Sequence, residues 1–342
     1  MRRLITEIIE SMPEFLVVGT CCDGADAIQK VQTLRPDIVT LDIEMPGMDG
    51  LTALSRIMSE MPRPVVMLSA AGSDTGNSLT IRALELGAVE FVRKPSGPVS
   101  VDLAVVRSEL LRALTAASIV RVAQTPTSGV EPVADIPAPR RVFTPSPASA
   151  AVVIAASTGG PKALTDLMSH LPDSLDAAIL VVQHMPADFL GPFARRLAQL
   201  GPFPVAVARD GQRVMSRNVY VAPGNLHMTV VREASGVVVR TEAGPSICGV
   251  RPSADPLFTS AAKAFGGNLV GVVLTGMGCD GSEGLRAVRL AGGGAVVQDR
   301  ASSIIYGMPR SALAFAGADR VVAPRLVGPA MVELLQSRRA VA

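Results

Sequence analysis

Three residues in the second half of the chain carry the side chains of nucleophilic acyl transfer, and each follows a run of apolar residues. Ser157 follows AVVIAA, His184 follows AAILVVQ and Asp280 follows GVVLTGMGC. If these runs are parallel strands, a hydroxyl, an imidazole and a carboxylate arise at one sheet edge. A Ser-His-Asp triad needs that arrangement, because triads are defined by geometry and not by chain order. Ser157 would attack an acyl carbon, His184 would take and return the proton, and Asp280 would orient the imidazole. Backbone N–H groups near Met277, in the Gly-rich turn, would face the oxyanion. After Ser157, Thr158-Gly159-Gly160-Pro161 turns the chain tightly and opens a helical pattern. Taken alone, Ser157 also suits a helix cap. His227 reads as a structural or rim histidine, and His170 as a surface one.

The first half offers a different constellation. Asp42 ends IVTLD, Ser69 ends VVMLS and Lys94 follows EFVR. Ligands of an open parallel sheet bind at the carboxyl ends of its strands. There a carboxylate, a hydroxyl and an ammonium together can hold a phosphoryl group. Asp42 would accept it, Lys94 would neutralise it and Ser69 would contact one oxygen.

A rival pattern overlaps the proposed triad. Gly276-Met277-Gly278-Cys279-Asp280-Gly281 fits G-x-G-x-x-G, follows an apolar run and precedes a helical pattern, and Asp299 ends the next run. That is a dinucleotide-binding signature. Against it, Asp280 would set a carboxylate beside a pyrophosphate, and Ser157 and His184 would have no task. The sequence around Ser157, AASTG, also departs from the G-x-S-x-G elbow of α/β-hydrolases.

The elements that must position these residues follow one grammar. Short apolar runs alternate with helical patterns at Phe15 to Val18, Asp37 to Leu41, Val65 to Ser69 and Val89 to Val92. The alternation returns at Ala151 to Ala155, Ala177 to Val182, Val219 to Val221, Leu269 to Leu274 and Gly294 to Val297. Continuous apolar strands with helices between them predict parallel sheets covered on both faces. VVREASGVVV reads as a hairpin. Between the halves lies a stretch rich in Pro, Ala, Ser and Thr, and prolines at that density exclude helix and ladder. The expected organisation is a domain over 1–114, a linker over 115–147 and a second domain over 148–342.

Composition excludes several classes. Of 342 residues, 48% are hydrophobic and 18% charged, so a chain disordered throughout is ruled out. The net charge of +2 and the absence of Trp argue against nucleic-acid binding, as does the lack of a basic helix-turn-helix pattern. No apolar run approaches the ~20 residues of a membrane span, so no membrane insertion is expected. Leu4, Ile5, Ile8 and Ile9 recur with helical period, and two acids interrupt what would be a signal-peptide core. Cys21, Cys22, Cys248 and Cys279 form neither a zinc nor a disulfide framework, which fits a reducing, cytoplasmic setting. Cys279 reads as a bystander.

Two resemblances follow from these residues. LDIEMPGMDG, with LSA and VRKP downstream, resembles the receiver domain of two-component response regulators over about residues 1 to 110. The resemblance implies a flavodoxin-like fold whose Asp42 is phosphorylated by a sensor histidine kinase, with Mg²⁺ held by an acidic pair that ends a first strand. Here Met1 already lies in the first helical pattern, so strand and acidic pair are missing. A start further upstream is the favoured explanation. Asp23 and Asp49 lie in loops and are poor substitutes for the pair.

AASTGGPKAL, VVQHMP, YVAPGNLHM, RPSADPLF, LTGMGCDG and SSIIYGMPR together resemble the catalytic domain of the CheB family of chemotaxis methylesterases. The resemblance implies a doubly wound, mainly parallel α/β esterase domain with a small hairpin. It implies hydrolysis of glutamyl methyl esters on cytoplasmic chemoreceptor helices, with release of methanol, and deamidation of receptor glutamines. It assigns catalysis to Ser157, His184 and Asp280, sets Thr158 and Met277 near the oxyanion, and requires no cofactor for the ester chemistry. It also implies that the receiver inhibits the esterase until phosphorylated. Arg251, Ser253 and Asp255 either position the substrate or cap a helix, and Met308-Pro309 reads as structural.

Overall fold

The computed structural model describes residues 2–69, 73–94, 100–120 and 146–339. The chain divides into two compact units, Met1–Pro132 and Val133–Ala342. Most of the expected linker, residues 121–145, lies outside the described residues.

The first unit runs α1 (Arg2–Glu10), α2 (Gly24–Leu34), β1 (Val39–Asp42), α3 (Gly50–Glu60), β2 (Val65–Ser69), α4 (Asp74–Glu85), β3 (Glu90–Arg93) and α5 (Ser100–Ser118). The helical period at the N-terminus is real, and α1 buries Ile5, Ile8 and Ile9. Helix α5 runs through residues 115–118, which the proline-based reading gave to the linker. The sheet is parallel, in the order β1-β2-β3. Phe15 to Val18 departs from expectation: it joins no ladder, and Leu16 and Val18 are exposed. A strand exists through its partners, and a strand lying between this segment and β1 is absent from the described residues.

The second unit comprises β4 (Ala151–Ala156), α6 (Gly160–Ser169), β5 (Ala178–Gln183), α7 (Ala187–Leu200), β6 (Val205–Val207), β7 (Val219–Val221), β8 (His227–Glu233) and β9 (Gly236–Glu242). It continues with α8 (Ala254–Phe265), β10 (Leu269–Val273), α9 (Ser282–Leu290), β11 (Gly294–Gln298), α10 (Gly307–Phe315), β12 (Arg320–Val322) and α11 (Pro324–Arg339). Seven strands form one parallel sheet, β12-β11-β10-β4-β5-β7-β6. Strands β4, β5, β10 and β11 are buried at every position, as continuous apolar runs require when helices cover both faces. The expected hairpin is β8-β9, paired from His227↔Glu242 to Glu233↔Gly236. The three-residue strands β6 and β12 were not expected, since three residues are too few to show a period.

Strand order fixes where a site must lie. From β4 the chain adds strands toward β6, then returns through β10 on the other side of β4. The carboxyl ends of β4 and β10 therefore flank the topological switch point, where open α/β sheets bind their ligands. No helix among the described residues is long and apolar enough to cross a membrane.

Candidate active site

Register alone places Ser157 beside His184. Ala156 of β4 pairs with Gln183 of β5, so the two residues that follow leave adjacent strand ends, and paired strands lie about 4.8 Å apart. The His184 N–H donates to the Ala156 carbonyl at 3.0 Å. Gln183, fully buried, donates Nε2–H bonds to the carbonyls of both Ser157 and His184, each at 3.0 Å. One amide side chain thus pins both functional residues to the same edge. Ser157 does not cap α6. The cap is Gly159, in the left-handed region at φ 78°, and an added Cβ there would sit 2.7 Å from Ile304 Cβ.

The third member arrives from the loop after β10. Asp280 Oδ2 lies 2.7 Å from His184 Nε2. Nε2–H therefore faces the carboxylate, and Nδ1 is the ring nitrogen available to a serine proton. This reverses the use of the two nitrogens in the chymotrypsin-type triad. Ser157, Thr158 and Asp280 are buried, and His184 is nearly so.

Asp280 is held by more than the histidine. Ser253 Oγ–H donates to its Oδ1 at 2.5 Å, and the Ala254 N–H donates to Oδ2 at 2.7 Å. Ser253 is the N-cap of α8, and Asp280 immediately precedes Gly281, the N-cap of α9. Two helix N-termini thus favour negative charge at this carboxylate. Burial pushes its pKa up, but the His184 hydrogen bond and charge, with the Ser253 and Ala254 donors, outweigh burial and bring it below the ordinary value. His227 supports Ser253: its Nδ1 accepts the Ser253 N–H at 3.1 Å while Nε2 meets the Pro245 carbonyl at 2.9 Å. It is a buried structural histidine, whereas His170 is exposed at the end of α6. The choice left open for Ser253 resolves as cap and carboxylate holder together. The cap was one of the two readings the sequence offered for Ser253, but nothing local signals a contact across 27 positions.

The Gly-rich loop is packed by protein. Gly276 donates to the Ile305 carbonyl at 3.0 Å, and its own carbonyl accepts from Gly307 and Met308. An added Cβ at Gly276 would fall 2.7 Å from Ser157 Cβ. Thr275 Oγ1 lies 3.0 Å from the Thr158 carbonyl. The loop therefore brings the Met277 backbone next to Ser157, with the Met277 side chain exposed. Its first turn is committed to internal contacts, and Asp280 to His184, so the dinucleotide reading loses its binding surface. The Asp299 carboxylate accepts the Ser302 N–H at 2.8 Å within its own loop.

In the first unit, Lys94 Nζ lies 2.6 Å from Asp42 Oδ1, which also accepts the Glu44 N–H at 3.1 Å. Ser69 follows Leu68, the register partner of Asp42, and its buried hydroxyl is paired with Thr80 Oγ1 at 2.7 Å. Among the described residues of the first unit, no donor cluster matches the Mg²⁺ that a receiver implies. Asp23 and Asp49 cap α2 and α3. Among the described residues, the metal-competent cluster is Cys248, Asp255 and Asp280, in the second unit.

A hydroxyl, an imidazole and a carboxylate thus gather beside the switch point, the residue types that acyl transfer requires. A family model described as CheB methylesterase matches residues 152–331, and one described as response regulator receiver domain matches residues 1–106. The chain is 42% identical over 326 residues to a protein-glutamate methylesterase/protein-glutamine glutaminase of Pyrococcus horikoshii, covering 94% of this chain and 87% of the relative. To the protein of the same name from Symbiobacterium thermophilum it is 44% identical over 342 residues, covering 95% and 91%. The crystal structure of the Thermotoga maritima CheB methylesterase catalytic domain superposes with a TM-score of 0.53 at 34% identity, covering 54% of this chain and 98% of that one. The match to the CheB methylesterase model spans Ser157, His184 and Asp280, and the chain belongs to the CheB methylesterase family, with a receiver domain preceding the esterase domain.

Proposed function

We propose that this protein hydrolyses γ-methyl esters of glutamate on chemoreceptor helices, and γ-amides of glutamine, through Ser157, His184 and Asp280. The observation that carries the reading is the meeting of Ser157 and His184 at adjacent strand ends, with His184 Nε2 2.7 Å from Asp280. Ser157 Oγ attacks the ester carbonyl carbon as its proton passes to His184 Nδ1. The oxyanion lies against the Met277 N–H, beside Thr158. Collapse breaks the bond to methoxide, which leaves as methanol with the proton from His184. Water then attacks the acyl-enzyme, His184 takes its proton and returns it to Ser157, and glutamate is released. With an amide the leaving group is ammonia. Over the cycle the proton lost to methanol is replaced by one from water, both passing through His184, and this ester chemistry needs no cofactor.

The receiver extends to the end of α5 at Ser118, the linker follows it, and residues 148–342 form the esterase. A sensor histidine kinase is the phosphodonor, Asp42 is the acceptor, and Lys94 neutralises the transferred group. Phosphorylation relieves inhibition of the esterase, and the protein acts in the cytoplasm. The test is methanol release from methylated chemoreceptor fragments. Ser157→Ala should abolish it, and Asp42→Asn should abolish its stimulation by a phosphodonor while leaving basal release. Undiminished release by Ser157→Ala would refute the assignment.

A further inference from the structure

Two of the four cysteines, 31 positions apart, meet beside the triad. The Sγ atoms of Cys248 and Cys279 lie 3.5 Å apart, and both residues are exposed. Cys248 sits at the tip of a tight turn in which Ile247 and Val250 exchange backbone hydrogen bonds at 3.1 and 3.0 Å. Its φ is 51° and that of Gly249 is 77°, the doubly left-handed geometry of a two-residue hairpin. Cys279 lies between Gly278 and Asp280 on the loop that also carries Met277. An added Cβ at Gly249 or Gly278 would meet nothing within 4 Å, so both loops have open space in which to approach.

We propose that Cys248 and Cys279 form a reversible disulfide that switches the esterase off under peroxide stress. A disulfide needs an S–S distance of about 2.05 Å, so the two sulfurs must approach by roughly 1.5 Å from their reduced separation. That displacement acts on Cys279, next to Asp280 and two residues from Met277. Misplacing a catalytic group by about 1 Å can cost on the order of a hundredfold in rate. The chemistry needs one peroxide. The Cys279 thiolate sulfur attacks one peroxide oxygen, the O–O bond breaks and hydroxide leaves, giving a sulfenic acid. The Cys248 sulfur then attacks the Cys279 sulfur, the S–O bond breaks, and water leaves with the remaining proton. Burial and the neighbouring Cys279 push the Cys248 thiol up to about 12, so Cys248 must give up its proton as it attacks, and the crosslink should form faster as pH rises.

The effect on turnover rests on the esterase reading; the crosslink does not. The full chain is treated with hydrogen peroxide, free thiols are alkylated, and tryptic peptides are mapped. Cys248 falls in peptide 241–263, because trypsin spares the Arg251-Pro252 bond, Cys279 in 264–286, and Cys21 with Cys22 in 4–30, so the expected pair is unambiguous. The expected result is a 241–263/264–286 crosslink, a fall in methanol release of about tenfold or more, and reversal of both by dithiothreitol. Cys248→Ser should keep basal release and lose peroxide sensitivity. Separate alkylated peptides after peroxide would overturn the proposal, as would a crosslink without loss of release, or a loss that persists in Cys248→Ser. A crosslink in a protein that releases no methanol even when reduced would refute the esterase reading and leave the disulfide standing.

Discussion

Removing one hydroxyl, in Ser253→Ala, probes what holds the orienting acid. Ser253 is fully buried, donates to Asp280 Oδ1 at 2.5 Å and accepts the Asp255 N–H at 3.3 Å as the cap of α8. A hydrogen bond to a charged group contributes about 1.5–3 kcal/mol, and a serine cap about 1 kcal/mol. The two roles share one oxygen and do not add in full, so about 2–3 kcal/mol is expected. For a domain of this size that lowers Tm by roughly 5–10 °C. The substitution also removes one of the donors that outweigh burial at Asp280, so the carboxyl pKa rises. The direction of the pH effect follows. A depressed folded pKa contributes stability that is present above the unfolded value and lost as pH falls through the folded one. With that folded pKa raised, the variant begins to lose stability at higher pH than the parent. Thermal unfolding from pH 7 downward reads this directly. Turnover should fall by roughly tenfold, short of the hundredfold cost of a 1 Å displacement. A Tm within about 1 °C of the parent, an unchanged acid limb and unchanged turnover would refute the view that Ser253 positions Asp280.

Two further substitutions separate packing from charge. In Gly276→Ala the new Cβ would lie 2.2 Å from Met308 Sδ and 2.7 Å from Ser157 Cβ; the thioether can yield, but Ser157 must move. Steady-state kinetics should show kcat reduced by about a hundredfold with KM little changed, and unfolding should show a loss of about 1–3 kcal/mol. At Asp255, burial, with the nearby Asp280 charge, raises the carboxyl pKa to about 6 although Gly284 N–H donates to it. The folded protein then binds that proton more tightly than the unfolded chain, so this group's contribution to stability falls as pH rises from about 4 to about 6. Asp255→Asn keeps an acceptor for Gly284 and removes the buried charge. It should raise stability at pH 7 by on the order of 1 kcal/mol after allowance for solvent screening and flatten that stretch of the pH–Tm curve.

What the sequence made legible has a physical pattern. Ser157 and His184 were readable because each ends a continuous apolar run, and parallel strands buried on both faces leave such runs no other form. Asp280 was readable because a carboxylate is out of place in a phosphate-binding glycine loop. Strands β6 and β12 were not, since three half-exposed residues show no period. Phe15 to Val18 has the composition of a strand, but pairing depends on a neighbour that its own residues do not encode. Ser253, Gln183 and the Cys248–Cys279 contact act through space across 26 to 31 positions, and only the folded sheet brings them together. The order of the strands was likewise beyond local pattern, although it places the site at the switch point.

The central claim is that Ser157 is the nucleophile, and a fluorophosphonate tests it most directly. Such a reagent bonds covalently to a serine oxygen that a neighbouring base activates. The full chain is labelled, digested with trypsin and mapped, while methanol release from methylated receptor fragments is followed in the same samples. One adduct per chain is expected, on the peptide spanning residues 142–162, which contains Ser157. Methanol release should fall in proportion to labelling, and His184→Gln should label far more slowly. Full methanol release from a protein fully labelled at Ser157 would contradict the account.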